Sequence, residues 1–179
     1  MAFSLSKFQG QMGSGGARPS LFSFSVTGLT DSGLDDLSFF CNVSELPGVS
    51  ITPIERQYYG RTVKIPGDMV FADLTTTIIN DEEMGIRTGI EKWMARMNSH
   101  EGNTRGFSSA MGSEGATGTL TQYGKSPATV SEAATTSIYK CNFIGLFPQT
   151  LGEIALSYDS ASEIEQFDVT WGYQYWDQV

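Results

Sequence analysis

The sequence is poor in the residues that most enzymes and metal sites depend on. It has one histidine, His100, and two cysteines, Cys41 and Cys141. A Ser-His-Asp triad would rest on His100 alone. That residue stands at the edge of a low-complexity stretch with few neighbours to orient it, and it reads as a solvated helix-end residue. One histidine and two cysteines set in the apolar runs FFCNV and YKCNF do not make an ordinary zinc site. The two thiols read as buried side chains, with a disulfide between them as the alternative. Apolar runs are short, and none reaches the length of a membrane span. The opening MAFSLSKFQGQMGSGG has no continuous apolar core and does not read as a signal peptide, so folding in a cytoplasm is the expectation. Basic residues are also scarce: 11 Lys and Arg against 20 Asp and Glu, a net charge of -9. Affinity for nucleic acid comes from Lys and Arg neutralising phosphates. The balance therefore argues against a DNA-reading protein, but does not exclude one that handles DNA without holding it. No internal repeat is present.

Three local motifs invite a chemical reading and fail it. Gly124–Ser126 reads GKS, but the phosphate loop needs a glycine where Thr119 stands, and Pro127 opposes the helix that should follow. DSGLDD and YDSASE are dense in acids without the full calcium-loop pattern. NDEE, from Asn80, lies where helix N-termini collect acids. No catalytic constellation, metal site or cofactor motif stands out, so the chain is not expected to be an enzyme.

What the sequence does have is strand pattern. Its 179 residues, 40% hydrophobic and 12% aromatic, suffice for one globular domain with a sizeable core. Residues 1–17 are Gly- and Ser-rich and read as a flexible arm; 18–179 read as a single domain. Leu21–Thr27 alternates apolar and small polar residues, and Leu37–Val43 does so with Phe39, Cys41 and Val43 on one face. SELPGVSITPIE is broken by Pro47 and Pro53 and reads as a loop or irregular hairpin. A short strand is expected at Thr62–Ile65, and a β-branched one at Val70–Ile79. Ile86, Ile90, Trp93, Met94 and Met97 form one helical stripe, with Asn80 as cap and Glu83 three residues on. From Glu101 to Thr136, 23 of 36 residues are Gly, Ser, Thr or Ala, which predicts a long surface insertion. Strands follow at Ser137–Phe147, at EIALSY with Ile154, Leu156 and Tyr158 inward, and at Ile164–Trp176 with Phe167, Val169, Trp171, Tyr173 and Tyr175 inward. About seven antiparallel strands and one helix predict a mainly β fold: two packed sheets, a sandwich or partial barrel, with a flanking helix.

The pieces ARPSLF (17–22), LPGVSI (46–51), YYGRTVKIPGD (58–68), TTIINDE (76–82) and GLFPQTLGEIALSYDSASEIEQFDVTW (145–171) occur in this order on such a chain. In them the sequence resembles the tail tube proteins of contractile-tailed bacteriophages, a family that includes the inner-tube proteins of phage-tail-like injection systems. The resemblance spans ARPSLF to the C-terminus apart from the 101–136 segment, which departs from shorter family members.

The resemblance implies hexameric rings in which one sheet of each subunit joins its neighbours in a continuous barrel around a lumen. The rings stack into a tube inside a contractile sheath, begun on a baseplate and ended by terminator proteins. The tube first houses the tape-measure protein and then passes DNA without binding it specifically. The protein would be a virion component assembled in the host cytoplasm, with no membrane partner. On this reading Asn42, Lys140, Asn142, Glu153 and Ser157 face the lumen. Tyr58, Tyr59 and Arg61 lie at contacts between subunits or rings, and Gln166, Asp168, Thr170 and Gln174 face the sheath. Two alternatives are an inner tube that delivers proteins and, more distantly, a carbohydrate-binding β-sandwich.

Overall fold

The strand of greatest consequence is β7, Ser137–Leu151, because it is long enough to belong to two sheets. In a computed structural model, residues 4–12, 16–28, 33–102, 104, 116–124, 137–160 and 162–179 are described. The first half of β7 pairs antiparallel with β6 (Ala116–Tyr123) on one side and β9 (Tyr175–Gln178) on the other. Beyond β6 lies β1, Phe22–Thr27. The second half of β7 pairs with β8 (Gln166–Gly172), which pairs with β5 (Leu74–Ile79), which pairs with β2 (Cys41–Ser44). Two antiparallel sheets, β1-β6-β7-β9 and β2-β5-β8-β7, thus share one strand. A separate hairpin, β3 (Val49–Tyr58) and β4 (Arg61–Phe71), stands beside them.

Period-two alternation fixes which face of each sheet turns inward. Phe24, Leu120, Cys141 and Phe143 from the first sheet are buried, as are Leu74, Ile78, Phe167, Val169 and Trp171 from the second. Phe24 meets both Phe143 and Trp171, at ring separations of 6.5 and 5.9 Å, so the sheets share one core. The helix α3, Gly85–Met97, adds its stripe of Ile86, Ile90 and Trp93 to that core. Its Trp93 lies 5.9 Å from Trp171, and the Arg87 guanidinium sits 5.3 Å over the Phe167 ring.

Within this core one polar pair is fully enclosed. The Trp171 Nε1–H donates to Thr76 Oγ1 at 2.8 Å, and both residues are buried. Replacing Thr76 by Val keeps the shape and removes the acceptor, leaving the indole N–H unsatisfied. A loss of about 1–3 kcal/mol is expected, read as a lower urea midpoint at unchanged slope. An unchanged midpoint would mean that the hydroxyl contributes nothing.

Several elements differ from the sequence expectation. Leu37–Phe40 is a single helical turn, α2, because Leu34 and Leu37 are buried three residues apart and Leu37 N–H bonds to Leu34 O. Phe39 is consequently exposed. The expected strand Val70–Ile79 is interrupted at Ala72-Asp73, between β4 and β5. The α3 cap is not Asn80 with Glu83. Met84 takes a left-handed conformation before the helix, and Asp81 Oδ1 accepts from Gly85 N–H. Asn80 instead donates to Glu165 Oε2.

The segment 101–136 is not one insertion, for β6 lies within it and is a central strand. Only the parts of that expectation at 103, 105–115 and 125–136 fall outside the described residues. The arm carries a seven-residue helix, α1 (Leu5–Gln11), with no buried side chain. EIALSY is not a strand: Gly152 N–H bonds to Asp168 O, the chain leaves β8 there, and Leu156 and Tyr158 are exposed. The closing segment breaks into β8 and β9 at Tyr173-Gln174, leaving Tyr175 exposed.

Candidate assembly surfaces

The cross-strand register assigns each exposed residue to a face. In the first sheet Ser25, Thr119, Asn142 and Asp177 form one row across four strands, away from the core. Ser23, Thr121 and Lys140 form the next row, and Thr27, Thr117, Ile144 and Tyr175 the third. Thr119 Oγ1 donates to Asn142 Oδ1 at 3.0 Å. The face is hydroxyl- and amide-rich, and among the described residues of these three rows the charged ones are Lys140 and Asp177. Its two flanking strands, β1 and β9, each pair on one side only among the described residues.

The residues expected to share a lumen face are therefore divided. Lys140 and Asn142 lie two apart on one face of β7. Asn42 lies at a register shift in β2, at the far edge of the second sheet. Glu153 and Ser157 are exposed on the loop that follows β7. Of the sheath-facing set, Gln166, Asp168 and Thr170 share the outer face of β8, where Thr77 Oγ1 donates to Asp168 Oδ1 at 2.7 Å. Gln174 is apart from them in the β8–β9 turn, its N–H on Ile144 O and its side chain against Gly145. Phe167, Val169 and Trp171 are enclosed, so β8 presents no aromatic platform to a sugar.

The hairpin is the most exposed part of the fold. Every residue of β3 is exposed, including Val49, Ile51, Ile54 and Tyr58. Pro53 opposes Pro66 beside a register shift, where neither needs an N–H, so the strands run on through prolines that suggest a break. Tyr59 and Gly60, both at positive φ, close the two-residue turn. Beyond the turn's start the faces separate. Ile54, Ile65, Val63, Tyr58, Arg56 and Arg61 share one side; the Glu55–Lys64 ion pair and the Gln57–Thr62 hydrogen bond occupy the other. Tyr58, Tyr59 and Arg61 are thus brought together at the tip, with the two tyrosine rings packed edge to face at 4.8 Å.

Among the described residues no group of three or more His, Cys, Asp and Glu is placed to hold a metal ion, and no helix is long and apolar enough to cross a membrane. Both thiols are free. Burial pushes Cys41 up to about 12 and Cys141 to about 11, the latter with help from Asp177, so both stay protonated and unreactive at neutral pH. Because these values are raised on folding, the stability they contribute is complete below about pH 9 and is lost as pH rises through the folded values.

Among the described residues, two strands of the first sheet pair on one side only and the β3–β4 hairpin stands uncovered, leaving backbone edges and apolar side chains open to a partner. The chain belongs to the phage tail tube protein family, whose model matches residues 6–179. It is 29% identical over 163 residues to the tail tube protein gp19 of Enterobacteria phage T4, covering 90% of this chain and 91% of that one. The match to gp19 of phage T6 has the same identity and extent. Among solved structures, a chain of the sheath-tube complex of the extracellular contractile injection system PVC has the same fold, with a TM-score of 0.60 at 16% identity over 99% of both chains. A chain of the tube-terminating cap of the anti-feeding prophage gives 0.62 at 16% identity, over 92% of this chain and 91% of that one.

Proposed function

We propose that this chain is the subunit of the inner tube of a contractile phage tail, a structural virion protein without catalytic activity. The observation that carries the reading is a family match from residue 6 to 179 together with like-sized tail tube relatives. Hexameric rings stack into the tube; the sheath surrounds it, and baseplate and terminator proteins bound it. The β1-β6-β7-β9 sheet continues from subunit to subunit through its two unpaired edges and turns its hydroxyl-rich face, with Lys140 and Asn142, to the lumen. The outer face of β8, with Gln166, Asp168 and Thr170, turns toward the sheath. The tip of the β3–β4 arm, with Tyr58, Tyr59 and Arg61, lies at contacts between subunits or rings. Closing sheets across subunits removes edges that would otherwise pair with any strand they met. A face of hydroxyls and amides holds water and lets the tape-measure protein and then DNA pass, since it lacks the cluster of cations that captures phosphate.

Negative-stain microscopy of the purified protein tests the assignment. Rings or tubes with a central hole are expected at high concentration or on addition of the cognate baseplate. A subunit that stays monomeric with that baseplate present would overturn it.

A further inference from the structure

The arm has a counterpart on the same molecule. The loop from Gly152 to Glu165 contains four acids and no Lys or Arg. Glu165 takes the Asn80 amide, which leaves Glu153, Asp159 and Glu163 exposed. The loop surrounds an open hollow of about 590 Å³ lined by Ile154, Leu156, Tyr158 and Ile164 together with Glu163, and Asp159 stands at its rim between the lining residues Tyr158 and Ser160. Leu156 is 80% exposed and Ile164 71%, a density of bare apolar surface that a loop does not normally keep. The arm tip has the opposite character: an apolar face carrying Arg56 and Arg61, neither of which has an ion pair among the described residues.

Position decides how the two can meet. β4 ends at Phe71, close before the Leu74 end of β5, which pairs with Trp171. The acidic loop enters β8 at Gln166, which pairs with Ile79 at the other end of β5. The root of the arm and the hollow thus lie at opposite ends of the β5–β8 pair. The arm's ten-residue strand reaches about 30 Å at the usual rise per residue. Complementary patches at opposite ends of one molecule join copies head to tail, which yields rings or filaments rather than a closed dimer.

We infer that the cationic apolar tip of the β3–β4 arm on one copy docks in the acidic hollow of the 152–165 loop on the next copy. The inference rests on the tube reading and adds the partner surface to the arm. Ile54, Val63 and Ile65 cover Leu156 and Ile164, while Arg56 and Arg61 face Asp159 and Glu163. Opposed patches of this kind also steer the encounter and fix the register of the joint.

The test is a charge exchange, scored by pelleting and microscopy after seeding with baseplate. One variant carries Arg56→Glu with Arg61→Glu, the other Asp159→Arg with Glu163→Arg. All four positions are exposed, and circular dichroism checks the fold. Each variant alone places like charges across the joint and should lose about tenfold or more of its pelletable tube. Mixed in equal amounts, the two can alternate with opposite charges at every joint, and tubes should return. The milder pair Arg61→Glu and Glu163→Arg repeats the test if a double variant folds poorly. Normal assembly of either variant alone, or a mixture no better than its parts, would overturn the docking while leaving the tube reading intact. Failure of the wild-type protein to assemble in the same experiment would remove both.

Discussion

Trp171→Ala is expected to lower the melting temperature by about 10–15 °C, at roughly 2–4 °C per kcal/mol for a chain of this size. Trp171 is fully buried and touches three parts of the fold at once: Phe24 from the other sheet, Trp93 from α3, and the Thr76 hydroxyl beside it on β5. Truncating a buried aromatic to Ala costs about 3–5 kcal/mol through lost transfer energy and the cavity left behind. The orphaned Thr76 hydroxyl adds about 1 kcal/mol. Against a usual total of roughly 5–15 kcal/mol, that is a large share. Trp171→Phe keeps most of the ring packing and should lose much less. A calorimetric melt of the two variants beside the wild type checks this. A Trp171→Ala protein that melted within a few degrees of the wild type would mean that the sheets are not held together at this residue.

The elements most legible in the sequence are those whose two faces differ. β1, β5 and β8 alternate cleanly because one side meets the core and the other does not, and α3 shows its stripe for the same reason. β6 was hidden by its own packing. Ala116, Gly118 and Leu120 do alternate with threonines, but the inward residues are small and the composition resembles a linker. Gly118 is small for a reason: a Cβ there would come 2.8 Å from Leu146 Cδ2 and 3.3 Å from Phe24 Cε2. Ile154, Leu156 and Tyr158 mislead in the opposite direction: their alternation suggests a buried strand, and the structure has an exposed loop. Alternation says which side chains would share a face of an extended chain, not whether the chain is extended there or the face covered. The arm is hard to read for another reason: Pro53 and Pro66 obscure its strands. The lumen set was scattered because it rested on EIALSY being a strand in the same sheet as Asn42 and Asn142.

With the β1-β6-β7-β9 face toward the lumen, Asp177→Lys should permit tubes yet slow DNA ejection markedly. Asp177 is exposed on β9 and stands directly across from Asn142, so a longer side chain there extends into water without disturbing the core. In the wild type the described rows of the face carry one cation, Lys140, and one anion, Asp177, and are close to neutral. The substitution removes the anion and adds a cation, and in the proposed tube ring symmetry and stacking would repeat that change along the lumen. A passing phosphate chain would then meet a continuous track of paired lysines and release counterions as it bound them. Binding of this origin falls steeply with salt, so ejection should be slowest at low ionic strength and approach the wild-type rate as salt rises. Asp177→Asn separates the two contributions, since it removes the anion without supplying a second cation, and it should slow passage far less. The measurement is the ejection rate from assembled particles of each variant at two salt concentrations. Wild-type ejection by Asp177→Lys particles at low salt would place this face away from the lumen, and a failure to form tubes would mean that the Asp177 side chain, and not only the backbone edge of β9, takes part in the seam between subunits.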